Sequence, residues 1–243
     1  MSRRLQADLH VHTCLSPCAD VKMSPLAVLR RARAVGLDIL GISDHNAAEN
    51  VPAALEAACR YGLRVLPGME VTSAEEVHVL ALFDAYGAVH ELQEEVYRHL
   101  PGRNDEETFG MQVIANADDE VLGFNPHLLI GATTLGLGEV VQAIHGLGGL
   151  AVAAHFDRES YSLTSQLGFV PDDLDLDALE ISPRISIEEA VRAYAPRLPL
   201  IQSSDAHREE EIGRGRTTFL VEDVSIVEMR KALQGKDGRR IVR

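Results

Sequence analysis

The sequence predicts an α/β fold in which a mainly parallel sheet closes into a barrel. Three observations carry that expectation. Short apolar runs alternate with amphipathic helical patterns along most of the chain, as parallel strands joined by helical crossovers do. No Gly-rich dinucleotide turn follows the first run, which favours a barrel over an open doubly wound sheet. Histidines and acids recur at the ends of successive runs, and in a parallel barrel those ends share one rim.

Taken in order, residues 7–12 (ADLHVH) read as the first strand. Ser24 is an N-cap with Pro25 at the first helical position; Leu26, Leu29 and Val35 supply an apolar stripe, and Gly36 ends the helix. Residues 38–43 (DILGIS) are a buried strand, and 48–61 an Ala-rich helix ending near Gly62, with Cys59 as a small core residue. Strands follow at 63–71, 76–83, 150–154, 178–182, 198–203 and 217–221, with helices at 137–147, 186–195 and 225–234. Residues 84–136 break the rhythm with a helix over 88–100, a stop at Pro101-Gly102, and a hairpin around Asn116-Ala117-Asp118-Asp119. This stretch reads as an insertion within a single domain over 1–243.

Composition narrows the function classes. The 243 residues include 37 acids against 23 bases, a net charge of -14, with 10 His and 3 Cys. A chain this acidic lacks the cationic footprint of a broad nucleic-acid binder. The few cysteines fit a reducing compartment rather than a disulfide scaffold. No apolar leader follows Met1 and no run approaches the ~18 residues of a membrane span. The expected address is the cytoplasm, with no membrane partner.

The strand ends carry the chemistry. His10 and His12 lie two apart on strand 1 and so face the same side. Strand 2 ends in Ser43-Asp44-His45, strand 3 in Gly68-Met69-Glu70, strand 4 carries His78, strand 5 runs into His155, and strand 7 into Asp205 and His207. Six of the 10 histidines thus gather with several acids. Imidazole and carboxylate donors together suit Zn, Mn or Fe, in numbers beyond what one ion can hold.

The set D-L-H-x-H-T, S-D-H-N, G-x-E-x-T, a strand His, A-H-x-x-R and S-D-A-H, in that order over about residues 7–221, resembles the PHP (polymerase and histidinol phosphatase) superfamily. The resemblance implies a distorted (β/α)7 TIM-like barrel, two or three divalent metal ions and phosphoesterase activity. By the resemblance, His10, His12 and Asp205 hold a first ion, Glu70 bridges it to a second held by His78 and His155, and His45 and His207 hold a third. The last ligand comes from the loop after strand 1, where position points to Pro17 or Cys18 and hard-donor chemistry favours Asp20 over Cys18. Asp44 is expected to orient a ligand histidine. Glu70, Asp205 and His207 are the expected catalytic residues, with His207 or His78 as candidate proton donor. Arg158, three residues past His155, and Arg184 are the expected phosphate grips.

The expected substrate is a small phosphate ester: a nucleotide, a short single-stranded oligonucleotide end, or a sugar or amino-alcohol phosphate. The competing readings are an amidohydrolase-type metal hydrolase, disfavoured because Lys22, Lys231 and Lys236 all lie outside the strand ends, and a metal-binding PHP domain without catalysis.

Overall fold

The computed structural model describes residues 1–171 and 173–242. In chain order the elements are β1 (Arg3–Val11), α1 (Pro25–Ala34), β2 (Ile39–Ile42), α2 (Val51–Tyr61), β3 (Arg64–Thr72), β4 (His78–Leu82), α3 (Tyr86–His99), α4 (Glu106–Phe109), β5 (Val113–Ala115) and β6 (Val121–Phe124). They continue with α5 (Leu137–Gly146), β7 (Leu150–Ala153), α6 (Leu163–Leu167), β8 (Ala178–Ile181), α7 (Ile187–Tyr194), β9 (Leu200–Gln202), β10 (Thr217–Val221), α8 (Ile226–Gln234) and β11 (Arg240–Val242). Ser24 caps α1 by accepting from the Ala27 N–H at 3.2 Å, and Gly62 takes φ +64° where α2 ends, as helix-terminus chemistry requires.

Nine strands form one sheet in the order β11-β10-β1-β2-β3-β4-β7-β8-β9. The sheet curls on itself: past β9, Ala206 pairs in parallel with Val11, through His12 N–H to Ala206 O at 3.0 Å. The fold is therefore a mixed α/β fold on a curled sheet. The expectation of a mainly parallel sheet is corrected by the pairing. Neighbours β1–β2, β2–β3, β7–β8 and β8–β9 are parallel, but β3–β4, β4–β7, β1–β10 and β10–β11 are antiparallel. For β4 the cause is its short connection to β3: Ser73 N–H donates to Val77 O at 2.9 Å, and no crossover helix intervenes.

Strand alternation divides the apolar side chains into two cores. Leu9, Ile39, Leu66, Leu80, Leu82, Val152 and Ile201 pack together with Met229 of α8; Leu40, Ile42, Val71, Val79, Ala81 and Leu179 pack with the other helices. By period two, Glu70 shares its face with Leu66, His78 with Leu80 and Leu82, and Glu180 with Ala178. Inside the curl the strands thus change from apolar to metal-liganding residue types along their length. In β1 a register irregularity between Asp8 and Val11 shifts the alternation. Ala7 and Leu9 join the inner core while Val11 joins the outer one, so His10 and His12 turn inward, the re-aiming that bulges provide.

Between β4 and β7, residues 84–136 supply α3, α4 and a separate two-stranded sheet of β5 and β6. Asn50 ties that hairpin to the main body, accepting from Ala115 N–H at 2.9 Å and donating to Val113 O at 3.0 Å. Cys59, read from sequence as a core residue, is exposed. No helix among the described residues is long and apolar enough to cross a membrane.

Close strand packing depends on Gly41. A Cβ there would lie 2.3 Å from the Leu9 carbonyl oxygen, a clash with backbone rather than with a movable side-chain tip. Gly41→Ala is expected to cost on the order of 3 kcal/mol and to lower the melting temperature by roughly 6–12 °C. A thermal transition within about 2 °C of the unmodified protein would show that β1 and β2 separate more easily than this packing implies.

Candidate metal centre

Glu70 sits at the middle of the site, fully inside the curl and 1% exposed. Its Oε1 lies 2.9 Å from His78 Nδ1 and 3.3 Å from both His10 Nε2 and His155 Nε2, while its Oε2 lies 3.0 Å from His45 Nδ1 and 3.5 Å from His12 Nε2. Asp205 Oδ1 approaches His12 Nε2 at 3.1 Å and His10 Nε2 at 3.3 Å. The six histidines expected from the strand ends therefore converge with both acids. His90, His99, His127 and His145 lie elsewhere; His145, for example, bonds Asp177 at 2.9 Å.

His78 stands at the first residue of β4, not at its C-terminal end. It reaches the same rim because β4 runs antiparallel to β3, with Thr72 paired to His78. A histidine at the start of one strand among histidines at the ends of others was the sequence's signal for this reversal.

The His10 and His12 imidazoles are each held by a polar group behind the ring. Glu180 Oε1 lies 2.9 Å from His10 Nδ1 and also accepts from the His155 N–H at 3.1 Å. Ser16 Oγ lies 2.9 Å from His12 Nδ1 and donates to Asp44 Oδ1 at 2.7 Å. Asp44 further accepts from the Thr13 N–H and hydroxyl, both at 2.7 Å, so it acts on His12 through Ser16. Tyr161 stacks on His78 with centroids 4.8 Å apart. Glu180 and Tyr161 escaped the sequence reading: Ala-Leu-Glu-Ile reads as a strand with one polar residue, and Tyr161 lies in an irregular turn at φ +54°.

The electrostatics are those of an ion site. Burial drives the His78 imidazole down to about 4. Burial and the neighbouring His207 hold His12 well below its usual value. Burial alone would raise Glu70, but His78, His10 and His45 carry it well below the carboxylate range. Glu70 Oε2, His45 Nδ1 and His155 Nδ1 are buried without a well-aligned hydrogen bond, an unusual state for buried polar atoms unless an ion satisfies them. Among the described residues, three groupings bring ligand atoms within 4.8 Å of one another: His10, His12 and Asp205; His45, Glu70 and His78; His12, His45 and His207. The donor set fits divalent cations.

The loop after β1 separates its two candidate donors. Asp20 Oδ1 accepts from the Lys22 N–H at 2.9 Å, and the residue lines a cleft with Lys22, Arg31, Glu209 and Glu210. The carboxylate expected to complete the third site is therefore not brought to it. The Cys18 thiol does interact with His45 and His207. Desolvation acts to raise it, yet the His45 charge and hydrogen bonds to both imidazoles bring it down to about 6. Arg158 reaches the centre, with Nη2 2.5 Å from Asp205 Oδ2. Arg184 lines an adjoining groove with Arg158 and His207 instead of meeting the ligands.

Removing the support behind His10 tests this architecture. Glu180→Ala is expected to weaken divalent-metal affinity roughly 10- to 100-fold, and Glu180→Gln, which keeps an oxygen acceptor, to weaken it less. Chelator competition titrations read both; unchanged affinity in the alanine variant would remove Glu180 from any role at the centre.

Known proteins resemble this chain in sequence and fold. Over 70 residues, 29% of this chain and 5% of the other, the sequence is 36% identical to the PolC-type DNA polymerase III of Caldanaerobacter subterraneus subsp. tengcongensis. Over 80 residues, 31% of this chain and 26% of the other, it is 34% identical to the 5'-3' exoribonuclease Rnm of Salmonella typhimurium. The fold is shared with the lesion-specific endonuclease PfuEndoQ from Pyrococcus furiosus at a TM-score of 0.75 and 23% identity, over 98% of this chain and 58% of that one. The chain thus matches less than two thirds of the length of each of these relatives. A PHP domain matches residues 8–164, more than half of the sequence and including five of the six clustered histidines, and on that ground the chain belongs to the PHP domain family.

Proposed function

We propose that the chain is a metal-dependent phosphoesterase that hydrolyses a small phosphate ester, with a nucleotide or the end of a short oligonucleotide as the favoured substrate. The observation that carries this reading is the convergence of six imidazoles, Glu70 and Asp205 on one buried locus. The exoribonuclease and endonuclease activities named for its relatives support the nucleotide choice.

His10, His12 and Asp205 would hold one ion, Glu70, His78 and His155 a second, and His45 and His207 a third, with Cys18 in place of Asp20. When bound, such ions supply Lewis acidity and make hydroxide available at neutral pH. The protein's own part is orientation and charge. Glu180 and Ser16 fix the tautomers of His10 and His12, so that Nε2 of each faces the centre. Arg158, 29% exposed and paired with Asp205, presents a guanidinium whose planar fork suits phosphoryl oxygens. His78 is driven to about 4 and carries no proton at neutral pH. Burial acts to lower His207, but hydrogen bonding and charge from Cys18 outweigh it and leave that imidazole raised. It stands at the mouth, 25% exposed, and is the imidazole suited to protonating the leaving oxygen when the third position is unfilled. Arg184 is read as a contact to the substrate beyond the scissile phosphate.

After chelation, a panel of phosphomonoesters, nucleotides and short oligonucleotides, with amides and lactones as controls, is expected to show phosphoester hydrolysis on adding back Mn, Zn or Fe. His10→Ala and Glu70→Gln should lose both hydrolysis and bound metal. A His10→Ala protein with full activity and unchanged metal content would overturn the scheme, and amide or lactone hydrolysis alone would favour the amidohydrolase-type reading. The third site has its own test: elemental analysis should show one ion fewer in Cys18→Ala but not in Asp20→Ala. The reverse result would restore Asp20 as the ligand.

A further inference from the structure

The pocket at the metal centre is small, about 160 Å³, walled by His45, Glu70, His78, His155, Arg158 and Tyr161 among others. Pockets for whole small ligands run to roughly 300–1,000 Å³, so this one holds a phosphoryl group and little more. An open groove of about 770 Å³ continues from it, sharing Arg158, Asp205 and His207. The rest of any substrate has to lie there.

The groove concentrates positive charge on an otherwise acidic molecule. Arg158, Arg184, Arg208 and Arg214 line it, against Asp205 and Glu211. Both acids are already committed. Asp205 pairs with Arg158, and Glu211 Oε2 accepts from the backbone N–H groups of His207 at 3.0 Å and Arg208 at 3.1 Å. Arg214 Nε donates to the Glu210 carbonyl oxygen, at 3.1 Å. Among the described residues, neither Arg184 nor Arg208 has an ion-pair partner, and both are exposed. Three guanidiniums beyond Arg158 are more than a single phosphate needs. Among the described residues, no Phe, Tyr or Trp lines the groove and His207 is its one aromatic ring, so it offers no run of rings on which successive bases could stack.

We infer that Arg184, Arg208 and Arg214 form a track for the backbone phosphates of a single-stranded oligonucleotide, which seats a terminal phosphodiester at the metal centre and holds the following phosphates without regard to base. This rests on the phosphoesterase reading and specifies the substrate's length and charge. A track of this kind gives an affinity that rises with each added phosphate, ignores sequence, and weakens steeply with salt.

The test compares the metal-loaded enzyme on a mononucleotide and on single-stranded oligonucleotides of two to five residues, of two base compositions, across a salt series. The expected result is a kcat/KM that climbs with length to about four residues, with little difference between base compositions. In the Arg208→Ala/Arg214→Ala double variant, the tetranucleotide-to-mononucleotide ratio of kcat/KM should fall at least tenfold. The slope of log affinity against log salt should flatten by about 1.4, because each single-strand phosphate released from its arginine takes about 0.7 from it. Inorganic tripolyphosphate, added as a competitor, should inhibit far less than a tetranucleotide of the same charge. Length-independent hydrolysis, an unchanged ratio in the double variant, or equal inhibition by tripolyphosphate would each overturn the track while leaving the phosphoesterase reading in place. Absence of metal-dependent hydrolysis on every ester would instead remove that underlying reading.

Discussion

A carboxylate buried among imidazoles is the constraint on which the rest of the molecule turns. Glu70 is 1% exposed, and a lone carboxylate at such depth would not stay ionised. It does so because His78, His10 and His45 surround it. They in turn come from three strands, β4, β1 and the end of β2, that must arrive with ångström accuracy. The strand order, the curl and the antiparallel β4 can all be understood as ways of delivering these rings to one carboxylate. The polar backing of Glu180, Ser16 and Asp44 then keeps the His10 and His12 rings from turning away.

Much of this was legible because two rules are strict. Period-two alternation put His10 and His12 on one side, and strand ends gathered His45, Glu70, His155 and Asp205. Where regular periodicity stopped, legibility stopped too. The choice between Cys18 and Asp20 depended on the path of a loop, and the loop turned Asp20 toward the Lys22 N–H. The direction of β4 depended on a connection too short for a helix, which no propensity scale weighs. Glu180 was hidden because one acid inside an apolar strand has no distinguishing pattern, and its meaning comes only from His10 lying across from it, 170 residues away in sequence. Short elements such as α4, α6 and β11 went unread because three to five residues carry too little period to recognise.

The site also stores conformational cost. His155 at φ +29°, Asp205 at φ +50° and Tyr161 at φ +54° all occupy the left-handed region without being glycine. Such residues cost of order 1–3 kcal/mol each, and they persist where surrounding bonds over-determine them. Here the Glu180 carboxylate grips the His155 N–H, Asp205 O meets His207 Nδ1 at 2.9 Å, and Tyr161 O accepts from the His78 N–H at 3.0 Å. Binding residues held in strained backbone are pre-aimed, so little ordering remains to be done when an ion or substrate arrives.

The irregularity in β1 between Asp8 and Val11 has a consequence for how this chain can vary over generations. Its two inward imidazoles owe their direction to a count of residues as much as to their identity. Straightening of that irregularity without a change in length would restore the alternation of Ala7, Leu9 and Val11 and hand the interior to Val11 in place of His10. The site is therefore as exposed to changes that let this strand pair regularly as to replacement of the imidazoles themselves, and the irregularity, with the extra residue it accommodates, is what inheritance has to preserve here.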